Sequence, residues 1–136
     1  MDMTISPAFR ADGTMVQLRE LLTVIPDNVY VWSVIDFYGI GEAPEKFSME
    51  EFEKQTMIRH RGFIMNWLEL KRFAESLIQT VDCLIVGANY EDNISSIKLM
   101  QNDYSSCEIV IQAFDSTEWA VWARDSTLAS KLAMAF

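Results

Sequence analysis

One histidine and two cysteines in 136 residues leave little material for several kinds of chemistry. His60 stands alone, which removes a His–His metal pair, and nothing beside it marks a nucleophile for a triad. GxSxG, HExxH and phosphate-loop patterns are absent. Gly39-Ile40-Gly41 follows a strand-like run, but Pro44 occupies the place of the third glycine of a dinucleotide fingerprint. The carboxylate pairs Glu50/Glu51 and Glu91/Asp92 are adjacent in sequence, a spacing that does not set two acids across a cleft. Cys83 and Cys107 lack CxxC spacing and fall in or beside strand-like runs, so they read as two buried thiols in a reducing compartment. Residues 1–14 have neither a basic n-region nor an apolar h-region, and no apolar run approaches ~18 residues. Together these absences predict a cytoplasmic protein that is not an enzyme and uses no cofactor and no metal.

Positive charge is also scarce: 11 Lys and Arg against 20 Asp and Glu give a formal net charge of −9. Residues 1–53 carry ten acids and three bases, residues 54–81 two acids and five bases, and residues 82–136 eight acids and three bases. A chain so acidic repels a phosphate backbone and attracts a basic protein, which argues against nucleic acid as partner. The basic stretch Lys54, Arg59, Arg61, Lys71 and Arg72 has acidic flanks, so internal salt bridges are its expected role.

Half of the residues are hydrophobic, with four Trp and eight Phe, so the chain has a core to bury. Its length suits one globular domain over residues 1–136, with residues 1–13 expected to form a loosely held arm. Leu18, Leu21, Leu22 and Ile25 repeat at helical spacing behind a Thr14/Gln17 capping pattern, and Pro26 ends the run. Residues 29–40 are dense in β-branched and aromatic side chains and predict a long strand. One parity of it (Tyr30, Trp32, Val34, Asp36, Tyr38) is amphipathic, suited to a partner or to a partly wet helix contact. Ser48 with Glu51 opens a second helix on the surface, Phe63 to Met65 reads as a short strand, and Asn66 with Glu69 opens a third helix running to Ile78. Residues 81–88 form an apolar strand; residues 94–106 fit a short helix or a strand equally badly.

Cys107 to Arg124 is a hairpin. With an even-numbered loop over Asp115 to Glu118, Phe114 would face Trp119, Ile111 would face Trp122 and Ile109 would face Arg124. Asp125 or Ser126 then caps a last helix whose inner face is Leu128, Leu132 and Phe136. The element order predicts an α+β fold, a mostly antiparallel sheet of about four to five strands with helices packed on it.

From Asp82 to Glu118 seven acids meet Lys98 alone. They fall mainly at strand ends and loops, where binding surfaces commonly sit. The expected protein-binding residues are Glu91, Asp92, Asp103, Asp115 and Glu118, with Tyr104 as an aromatic anchor in their midst. In size, charge and element mix the whole chain resembles the immunity proteins of bacterial toxin systems, those of contact-dependent growth inhibition in particular. The resemblance implies a stoichiometric inhibitor that binds a basic toxin domain, often a nuclease, and blocks its active site or access to its substrate. A structural or adaptor subunit, self-associating through the aromatic faces of residues 29–40, is the alternative; a small enzyme with scattered carboxylates is a third.

Overall fold

Two long strands, β2 (Val31–Gly41) and β4 (Leu77–Ala88), pair antiparallel at the heart of this computed structural model, which describes residues 3–135. β5 (Ile109–Phe114) and β6 (Glu118–Ala123) extend the sheet on one side, followed by β1 (Thr4–Pro7). The short β3 (Phe63–Met65) closes the other side, giving six strands in the order β1-β6-β5-β4-β2-β3, antiparallel throughout. Helices α1 (Leu18–Val24), α2 (Met49–Ile58), α3 (Trp67–Glu75) and α5 (Ser126–Ala135) supply the larger layer, and α4 (Ser96–Met100) lies in the β4–β5 connection. The α+β antiparallel architecture is as the element order predicts, with β1 the strand it lacked.

Local chemistry sets the helix ends. Ser48 accepts the Glu51 N–H, Asn66 and Glu69 form a reciprocal capping box, and Asp125 accepts the Thr127 and Leu128 N–H groups at 2.8 and 3.0 Å. For α1 the cap lies three residues later than the sequence suggests. Gln17 and Glu20 make the box, while Thr14 turns the chain by bonding Asp12 Oδ1. α3 stops at Ser76 rather than Ile78, because the Ser76 hydroxyl bonds the Glu42 carbonyl and Leu77 joins the sheet opposite Gly41.

The helical side of the sheet holds the main core. Val34, Ile85, Ile111 and Val121 form one buried row across four strands. Phe52 of α2 sits between the rings of Phe63 and Phe73, each 5.0 Å away, so α2 buries one side against the sheet rather than lying on the surface. Trp32 stacks on Trp67 at 5.3 Å, and its ring lies so close to Gly87 that a Cβ there would meet it at 3.1 Å. Phe136 lies outside the described residues; Leu132 and Leu128 do face the core.

Three features depart from what the sequence suggests. Val34 pairs with Ile85 and Asp36 with Leu84, so Ile35 is a bulge. Trp32, Val34 and Phe37 therefore face the helices, whereas Asp36 and Tyr38 turn away from them; the single amphipathic parity expected of residues 29–40 is broken in two. The hairpin loop has three residues, not four. Asp115 and Ser116 take positive φ (48° and 59°), and Phe114 pairs with Glu118. Every expected pair slips by one: Ala113 faces Trp119, Val110 faces Trp122 and Ile109 faces Ala123. Finally, the N-terminal arm is tied down from Thr4 onward by β1 and by the Arg10–Glu20 ion pair at 2.8 Å; residues 1 and 2 lie outside the described residues.

Behind the sheet, residues 89–108 return as a strap. Ile94, Leu99, Tyr104 and Cys107 cover Ile35, Leu84, Val86 and Val110 in a second, smaller core. Ser96 Oγ bonds the His60 carbonyl and Arg61 pairs with Asp92 at 2.9 Å. Arg124 holds the other end through the Ser105 and Cys107 carbonyls and Glu108. Lys54, Arg61 and Lys71 of the basic stretch thus have acidic partners within the chain, Glu50, Asp92 and Asp27.

Both thiols are free and buried, Cys83 in the main core and Cys107 in the second core, on the strap itself. Burial raises both, Cys107 to about 11, in spite of the Ser106 hydroxyl and Arg124 that favour its thiolate. At pH 8 the Cys107 thiol is held in its protonated form. An aromatic disulfide reagent at that pH is therefore expected to label neither cysteine in native protein and both in 8 M urea; rapid native labelling would place a thiol at the surface. Phe52→Ala removes a ring buried among aromatics and should cost about 3–5 kcal/mol in urea unfolding. Phe114→Ala, on the far side of the sheet, should cost less than about 1 kcal/mol; equal losses would contradict its exposure.

Candidate functional site

The strap covers only part of the sheet's back. Beyond the bulge the face is open, and its residues are set by register. Tyr38 pairs with Asp82, and one step past the Cys83–Ala113 pair brings Phe114 to the other side of Asp82. Next to that row, Asp36 pairs with Leu84 and Leu84 with Gln112. Tyr38 is 59% exposed and Phe114 45%, large values for aromatic rings in the middle strands of a sheet.

This floor forms an open groove of about 620 Å³. Thr56 and Met57 at the end of α2 make one wall; Leu99, Met100 and Asn102 of the strap make the other. Met100 is 80% exposed, and Met57 on the facing wall is likewise exposed. Methionine walls are unbranched and polarizable, so they adapt to varied surfaces. No Lys, Arg or His lines the groove among the described residues, while Asp36 and Asp82 both do. Asp82 Oδ1 accepts the Asp115 N–H at 2.9 Å, which ties the hairpin tip to the floor.

The residues singled out in the sequence do not form one surface. Glu91 and Asp92 sit in a 3₁₀ turn past Ala88, whereas Asp115 and Glu118 flank the hairpin tip beside Asp82. About 20 Å of strand, from Asp82 to Ala88, separates the two groups. Asp92 is engaged with Arg61, and Asp103 is engaged locally by the Ser105 hydroxyl and N–H, which hold its carboxyl below the usual range. Tyr104 is not an exposed anchor. It is 5% exposed, its ring fills the second core, and its hydroxyl lies 3.1 Å from Asn102 Oδ1 and 3.4 Å from Gln112 Oε1. Burial raises its phenol, against the Gln112 contact that lowers it. Glu118 pairs with Phe114 and so borders the open face; Asp115 touches it through the Asp82 bond.

Sequence reading missed Asp36, Tyr38, Asp82, Met100 and Phe114 as a group. A trace of them was present in the amphipathic parity that includes Asp36 and Tyr38. What brings in Asp82 and Phe114 is register, which no local pattern carries. Among the described residues no three His, Cys, Asp or Glu side chains converge to hold a metal ion, and no helix is long and apolar enough to cross a membrane. No family model, no curated protein and no solved structure matches the chain.

Proposed function

We propose that this chain is a stoichiometric binding protein that takes a basic protein domain on the open half of its sheet, in the manner of an immunity protein with its toxin. The observation that supports the reading is a groove with exposed aromatic and methionine side chains over two aspartates and no cation of its own. Aromatic anchors provide binding energy in a desolvated centre, and uncompensated carboxylates steer a cationic surface toward it. Inhibition on this reading is occlusion: the partner's basic surface, the one that would meet its own anionic substrate, is covered. A cytoplasmic location is part of the proposal and suits two reduced, buried thiols.

Self-association through the same face is the weaker reading, because two copies placed face to face would bring both pairs of Asp36 and Asp82 together without a counter-ion. The test is co-purification from the source cell with wild-type chain and with Asp36→Lys/Asp82→Lys. A basic protein should be recovered at one to one with wild type, with association slowed about tenfold or more by the double substitution and weakened between 50 and 500 mM salt. Equal recovery by the double variant, combined with loss on Glu91→Lys/Asp92→Lys, would move the interface to the other end of β4.

A further inference from the structure

Three aromatic rings of this chain carry a cation from the chain itself. Arg59 lies 4.3 Å from the Phe63 ring centre, Lys71 5.5 Å from Trp67 and Arg124 5.5 Å from Trp122. Tyr38 and Phe114 have no such partner among the described residues, although they are exposed on either side of a carboxylate. We infer that the row Tyr38–Asp82–Phe114 is an anchoring slot for one arginine side chain of the partner. The inference rests on the proposed reading of the open face as the binding surface, and it names the chemistry that surface recognises.

The spacing favours a flat group. Tyr38 and Phe114 stand two strand spacings apart, about 10 Å between backbones. A planar group in contact with a ring on each side needs about 7 Å, two contacts of ~3.5 Å. A guanidinium is planar, weakly hydrated and stacks on aromatic faces, whereas an ammonium is compact and strongly hydrated. The carboxylates fit the same group. Asp82 accepts the Asp115 N–H with Oδ1, leaving Oδ2 free of that bond, and Asp36 lies diagonally across the β2–β4 ladder, about 7–8 Å from Asp82. One acceptor on the floor between the rings and a second in the adjoining row match a fork of N–H donors better than a single point charge. The Met57 and Met100 walls lie along the path by which the aliphatic stem would enter.

The test is a ¹⁵N-resolved NMR titration of the full chain with Nα-acetylarginine methylamide at fixed ionic strength, compared with the lysine and citrulline analogues. Saturable shifts are expected at Asp36, Tyr38, Asp82 and Phe114, at least about threefold weaker binding for lysine, and none for uncharged citrulline. Phe114→Leu and Asp36→Asn, both at exposed positions that leave the Asp82–Asp115 bond intact, should each weaken arginine binding by about threefold or more. Shifts spread evenly over Glu45, Glu91 and Glu118, equal binding of lysine, or no saturable shift would each overturn the slot. A basic partner that is recovered and lost with Asp36→Lys/Asp82→Lys would still stand in that event. Conversely, saturable arginine binding with no partner recovered would keep the slot and remove the proposed function.

Discussion

The pairing of β2 with β4 is the constraint on which everything else hangs, and its character comes from one extra residue. Ile35 bulges out of the ladder, so the residues before it and after it on β2 present opposite parities to the helices. Without the bulge, Asp36 would point into the layer that holds Phe37, Phe52 and Phe73, at a cost of several kcal/mol for an unpaired buried carboxylate. With it, the aromatic core and the acidic open face coexist on a single strand. The same strand stacks Trp32 on Trp67 at one end and lends Gly39 N–H to Glu53 near the other.

The two sides of the sheet are unequal. Four helices and a set of interlocking aromatic rings fill the front, while a strap with one five-residue helix covers half of the back. The strap is fastened at its ends by polar contacts (Arg61 with Asp92, Arg124 with Glu108 and two carbonyls) and in its middle by Leu99 and Tyr104. Exposed ion pairs of this sort contribute little individually, so the apolar side chains do most of the holding. The uncovered part is what the strap leaves: its apolar side chains pack on Ile35, Leu84, Val86 and Val110 before the chain returns to start β5 beside Gly87, and Tyr38 and Phe114 stay exposed.

What was legible in the sequence is what local chemistry decides. Ser48, Asn66 and Asp125 declare helix starts because a side-chain oxygen two or three residues from a bare N–H suffices. The α+β class was readable from the order of runs. The hairpin's existence was readable too, but not its register, which depends on Asp115 and Ser116 accepting left-handed backbone that glycine or asparagine would have advertised. Residues 77 and 78 were misplaced on a helix because their apolar spacing continues that of α3, while the Ser76–Glu42 bond that ends the helix joins positions 34 apart. The candidate site shared that fate. Its residues come from β2, β4, β5 and the strap, and only pairing makes them neighbours. Charge in the sequence points to acidic loops and turns, whereas the carboxylates that line the groove are Asp36 and Asp82, on strands.

Synthesis adds an ordering to this topology. β1 pairs with β6, Thr4 opposite Val121, so β1 has no partner in the sheet until β6 is in place. Trp119 likewise donates its indole N–H to the Val16 carbonyl, joining positions 103 apart. β2, β3 and β4 can assemble with α2 and α3, yet the sheet gains β5, β6 and β1 only when residues 109–123 are available. Until then Thr4–Pro7 and the apolar edge of the nascent sheet stand open together, and Pro7 at that edge limits how far a stray strand can zip onto the N-terminal segment. The edge that β1 closes is therefore the one part of the sheet whose completion couples residues more than a hundred positions apart.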